Sequence, residues 1–147
     1  MAHWCILSTV LYCAAVVISG GAQENLDCSQ LGRYALPDGV RESFNGAIRA
    51  EVASKAPRKS LEYDCALEGA AGRILEENGG DGNSDVPPGV TQLNYETEAN
   101  RELLLSVYVE DAILSWNADF PNLATKSTFG CNYILRDGKH KFVCLFK

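Results

Sequence analysis

The tightest constraint in this sequence is the placement of two cysteines around one turn. Asp137-Gly138 is a two-residue loop of the kind type I′ turns require, because both central residues of that turn take positive φ. If Arg136 then faces Lys139, cross-strand partners carry numbers summing to 275, and Cys131 falls opposite Cys144. The pair flanking such a turn is hydrogen-bonded, so alternation makes Cys131 and Cys144 a non-hydrogen-bonded pair with Cα atoms about 4.5 Å apart. That distance is within reach of a disulfide. The same face pairs Tyr133 with Phe142 and Phe129 with Phe146, an aromatic surface suited to a core. The spacing therefore predicts a C-terminal β-hairpin closed by a Cys131–Cys144 bridge.

The remaining cysteines are read through the N terminus. Cys5 to Ile18 is an uncharged, largely apolar run, followed by the small residues Gly20, Gly21 and Ala22. This pattern reads as a secretory signal cleaved before Gln23, giving residues 1–22 as signal and 23–147 as a single domain of a secreted, extracellular protein. The run is shorter than the roughly 20 residues a membrane span needs, and Gln23 to Cys28 is polar and acidic, so no stable membrane anchor is expected. Without Cys5 and Cys13, four cysteines remain: Cys28, Cys65, Cys131 and Cys144. An even number in an exported chain suggests two disulfides. With Cys131 and Cys144 joined, Cys28 either pairs with Cys65, the expected arrangement, or stays free or bonds a second molecule. No CxxC occurs, so neither a zinc ribbon nor a thioredoxin-type site is suggested.

The charged residues, 13 basic and 19 acidic, all follow the signal and give a net charge of -6. Basic clusters are no larger than Arg58-Lys59 or Lys139-His140-Lys141, too small for a phosphate-binding face, and nucleic acid is excluded as a partner. Val40, Phe44, Ala47, Ile48 and Val52 recur at helical spacing between Pro37-Asp38-Gly39 and Pro57. A second helix is expected after Asp64 as N-cap, through Leu67, Ala71, Ile74 and Leu75 to Asn78-Gly79-Gly80. Gly79 to Gly89 is too rich in turn formers for a regular element. A third helix carries Leu105, Val109, Ala112, Ile113, Trp116 and Phe120 on one stripe and is expected to stop at Pro121.

Two blocks of residues then resemble a known family. Phe44-Asn45-Gly46-Ala47-Ile48-Arg49-Ala50-Glu51-Val52-Ala53 followed by Leu61-Glu62-Tyr63-Asp64-Cys65-Ala66-Leu67-Glu68 is similar to the opening of the CAP superfamily (SCP/TAPS: cysteine-rich secretory, antigen 5 and pathogenesis-related proteins), most of all its parasite members. Near the end, Ala112-Ile113-Leu114-Ser115-Trp116, the segment Asn122 to Cys131 and the closing Phe142-Val143-Cys144 resemble the family's Trp-containing helix, its GC segment and its terminal hairpin. The resemblance implies an α+β fold, a three-layer α-β-α sandwich, and a secreted role. Many members hold a divalent metal with two histidines and two acids. Here Asn45 stands where the first histidine would be, and Asp119 where the second, or a nearby glutamate, would fall. These two positions are therefore read as a degenerate cavity, with neither metal nor cofactor expected.

Catalysis finds little support in the residues. A serine or cysteine nucleophile needs a base within hydrogen-bond reach, and His140, the sole histidine after the signal, is expected opposite Leu135 as an ordinary surface residue. Asp81-Gly82-Asn83-Ser84-Asp85 opens like a calcium loop, but Val86 replaces its glycine and Gln92 its bidentate glutamate. The expectation is a non-enzymatic effector or antigen that binds an extracellular partner, such as a host protein, through its surface. The alternative is a small lipid or sterol carrier with a pocket between helix and sheet, where Trp116 would otherwise be plain core.

Overall fold

A computed structural model describes residues 26–78, 86–123 and 125–147. The expected signal and its cleavage point, and the calcium-like stretch 81–85, lie outside these residues. A short 3-10 helix (Ser29–Tyr34) leads into α1 (Asp38–Lys55), β1 (Glu62–Tyr63), α2 (Cys65–Asn78), β2 (Thr91–Glu98), α3 (Leu105–Ser115), α4 (Phe120–Leu123), β3 (Thr128–Arg136) and β4 (Lys139–Phe146). The four strands form one sheet in the order β1-β3-β4-β2.

The terminal hairpin has the register the turn dictates. Arg136 faces Lys139, Tyr133 faces Phe142, Cys131 faces Cys144 and Phe129 faces Phe146. Asp137 and Gly138 take φ of 53° and 75°, as a type I′ turn demands. Cys131 and Cys144 are bridged with Cα atoms 4.1 Å apart, and Cys28 is bridged to Cys65. The second bridge ties the N-terminal segment to the first residue of α2, which Asp64 caps by accepting the Ala66 N–H at 2.8 Å.

Alternation along β3 and β4 divides the core into two layers. Phe129, Cys131, Phe142, Cys144 and Phe146 face α1 and α3, where they meet Phe44, Ile48, Val109, Ala112 and Trp116. Val143 and Leu145 face the other way, onto Leu67, Ala71, Ile74 and Leu75 of α2. Helices thus cover both faces of a mixed sheet, a three-layer α-β-α sandwich. Close approach of α2 depends on Gly130: a Cβ there would lie 2.3 Å from the Glu68 nitrogen. Only a residue without a side chain lets the first turn of α2 rest on β3.

Two elements differ from the sequence expectation. The third helix ends at Ser115 rather than running to Phe120, and Pro121 lies inside the short α4 instead of stopping a helix. Proline is tolerated in a first turn because its missing N–H has no intrahelical acceptor there. Trp116 closes α3, is 3% exposed, and donates its indole N–H to the Asn94 carbonyl of β2 at 2.9 Å. It is a core residue pinned to the sheet, which accounts for it without a lipid.

Candidate functional site

Three polar constellations stand out. The first joins α1 to α2 at the β1 end of the sheet. Arg41 and Glu68, 3% and 0% exposed, form an ion pair with Nε to Oε2 at 2.8 Å. Glu68 also accepts from the Leu36 N–H at 2.7 Å and the Tyr63 hydroxyl at 2.7 Å. Arg41 uses its other nitrogens on the carbonyls of Leu36 and Leu26 and on Asp38. Its hydrogen bond to Glu68 holds the guanidinium well above its usual range, against the opposing effect of burial. Burial, with Glu68 beside it, pushes the Tyr63 phenol up. Charges so enclosed can neither reach a substrate nor release a proton near neutral pH, so this network is structural.

The second constellation lies at the turn end of the sheet, on the face covered by α1 and α3. His140 is half-buried rather than an ordinary surface residue, because its ring sits 4.4 Å from Tyr108 of α3 and near Tyr133 and Phe142. Its Nδ1 is buried with no hydrogen-bond partner, and burial pushes its pKa below 6.5. Tyr108 in turn donates its hydroxyl to the Asn100 carbonyl and accepts the Asn100 N–H. Among the described residues, nothing that could activate a nucleophile meets its Nδ1.

Of the degenerate cavity positions, Asn45 lies on α1 next to Phe44, half-buried, with its Oδ1 enclosed and unpartnered. Asp119 lies in the turn between α3 and α4, where its N–H donates to the Trp116 carbonyl. No hydrogen bond or ion pair among the described residues joins Asn45, Asp119 and His140. Nor, among those residues, does any group of three His, Cys, Asp or Glu side chains come within reach of a common metal ion.

The third constellation is a cavity of about 210 Å³ on the α2 side, where β1 has ended and β3 continues alone. Tyr34, Leu75, Asn132 and Ile134 line it, and Arg33 and Glu76 stand at its rim. Glu76 pairs with Arg33 at 3.0 Å and accepts the Tyr34 hydroxyl at 2.5 Å. Asn132 holds the 3-10 helix against β3 by donating to the Tyr34 carbonyl at 2.7 Å. Sequence reasoning missed this site because its walls come from three separate segments: the 3-10 helix, α2 and β3.

Residues 28–146 match the family model described as Ancylostoma-associated secreted protein related, ASPRs. The chain belongs to this family. ASPR membership places it in the CAP superfamily that its motifs resemble. Among solved structures, Na-ASP-1 aligns with a TM-score of 0.63 at 17% identity, covering 76% of this chain and 39% of that one. The hookworm platelet inhibitor aligns with a TM-score of 0.58 at 19% identity, covering 76% and 70%. NaASP2, solved with Zn2+, gives 0.59 at 12%, covering 76% and 80%. These likenesses establish the shared fold, and this ASPR spans well under half the length of Na-ASP-1. A comparison with curated proteins returns no match.

Proposed function

We propose that this ASPR is a secreted, non-enzymatic protein that acts in the extracellular space by binding a protein partner, such as one of a host, through its surface. The observation that carries the reading is the state of the cavity positions. Asn45 offers a neutral amide where the family's metal-binding members have an imidazole, and among the described residues no hydrogen bond joins it to Asp119. Export is supported by the apolar segment before Gln23, by two disulfides that form in oxidising compartments, and by the secreted character of the family.

A lipid carrier fits less well. The space between α1 and the sheet is filled by edge-to-face rings such as Phe44 and Phe142, 5.9 Å apart. The cavity on the other side is smaller than the roughly 300–1,000 Å³ of ordinary ligand pockets and has charged residues at its mouth. The test is surface plasmon resonance of the oxidised chain against a panel of purified extracellular domains, beside native mass spectrometry. Saturable binding to a protein that survives Asn45→Ala is expected, with no co-purifying lipid. A hydrolase activity abolished by Asn45 or Asp119 substitutions would sink the proposal, as would a stoichiometric bound lipid.

A further inference from the structure

The two edges of the sheet are unlike. On β2, the outward backbone positions carry Glu96 and Glu98, and the Asn94 carbonyl is already taken by Trp116. Charged side chains and covered carbonyls are the usual means of keeping another strand away. The Tyr133–Leu135 stretch of the β3 edge has neither. β1 pairs with β3 only at Thr128 and Phe129, and no other strand among the described residues lies beyond Gly130. Because the Arg136–Lys139 pair beside the turn is hydrogen-bonded, alternation aims the backbone groups of Tyr133 and Leu135 away from β4. The Tyr133 N–H is met by the Asn132 side chain. Among the described residues nothing meets the Tyr133 carbonyl or either backbone group of Leu135, and Leu135 itself is 56% exposed.

The cavity lies where a strand added to this edge would need it. Asn132 and Ile134 point to the α2 side and form one wall of the cavity. Every second side chain of an added strand would point to that side as well. Beyond stand Tyr34 and Leu75, which suit an apolar side chain. Two arginines stand near the mouth in a chain whose net charge is -6: Arg33, with its side chain 71% exposed, pairs with the Glu76 carboxylate, and Arg136 donates to the Glu76 backbone carbonyl at 3.3 Å. Guanidinium N–H groups not used on Glu76 and Tyr34 are donors for a carboxylate.

We propose that the outer edge of β3 at Tyr133–Leu135, with the adjoining cavity, docks an extended segment of a partner protein that carries an apolar residue flanked by acidic ones. Backbone bonding to the edge supplies affinity, and the cavity and the two arginines supply selectivity. This deepens the surface-binding reading and rests on it.

The test uses the oxidised chain and a capped, fluorescein-labelled Asp-Val-Leu-Val-Asp peptide, followed by fluorescence anisotropy and by amide NMR. The acidic peptide is expected to bind at least about tenfold more tightly than its lysine-flanked counterpart and to protect the Leu135 amide from exchange. Leu135→Pro removes a donor that β4 does not use, and it should weaken binding about tenfold or more. So should the double variant Arg33→Glu/Arg136→Glu. A backbone N-methylated peptide should lose binding to the unmodified chain, which keeps the test decisive if Leu135→Pro fails to fold. Equal binding of the acidic and basic peptides, undiminished binding of the methylated one, or no binding up to about 1 mM would overturn the proposal. If the chain binds an extracellular domain that Leu135→Pro still binds equally well, only the edge assignment fails. If it binds no such domain at all, the broader reading fails.

Discussion

The two ends of the sheet handle buried polarity in opposite ways. At the β1 end, Arg41 and Glu68 are enclosed with their hydrogen-bonding capacity spent on each other, on Tyr63 and on the backbone of Leu36. At the turn end, His140 sits against aromatic rings with an enclosed nitrogen that nothing meets, and Asn45 has an enclosed oxygen in the same state. A satisfied network fixes how α1, α2 and the sheet meet. Enclosed atoms without a partner add nothing to cohesion and carry a desolvation cost instead.

The comparison breaks most readily at the ion pair. Glu68→Ala would leave the Arg41 guanidinium buried without its partner, and a loss of about 3–5 kcal/mol is expected in urea unfolding. If the loss is under about 1 kcal/mol, the network is not what holds the helices together. Replacing Cys131 and Cys144 together by alanine should cost about 2–4 kcal/mol, since the bridge closes a loop of 13 residues that the unfolded chain would otherwise leave open. Gly130→Ala drives a methyl into the backbone of α2 and is expected to cost about 1–3 kcal/mol. The smallest effect is that of His140. Its pKa is lowered in the folded protein by burial, so the unfolded chain takes up the proton first as pH falls. Stability is full above about pH 6.5 and declines as pH drops through the lower folded-state value. His140→Phe keeps the ring stack and should remove that part of the acid sensitivity; an unchanged pH profile would show that the enclosed nitrogen is already reached by solvent.

The parts of this fold with dense local signals were legible before any coordinates. The hairpin followed from a two-residue turn and two cysteines, and α1 and α2 from apolar spacing with proline, aspartate and glycine at their ends. β2 went unseen because its inward positions, Thr91, Leu93, Tyr95 and Thr97, include only two strongly apolar residues. β1 is two residues long and exists because the Asp64 and Glu62 N–H groups find acceptors on Phe129 and Ser127, a pairing with no local trace. The role of Glu68 was equally hidden: its motif marked it, but only the fold shows that Arg41, 27 positions earlier, is its partner. His140 was misjudged for the same reason, since the ring that covers it belongs to Tyr108 on another element.

Whether the cavity positions have lost their metal chemistry is tested most directly by isothermal titration of the oxidised, folded chain with Zn2+. The account predicts no saturable heat at micromolar metal. A one-to-one isotherm that Asn45→Ala or Asp119→Ala abolishes would contradict it.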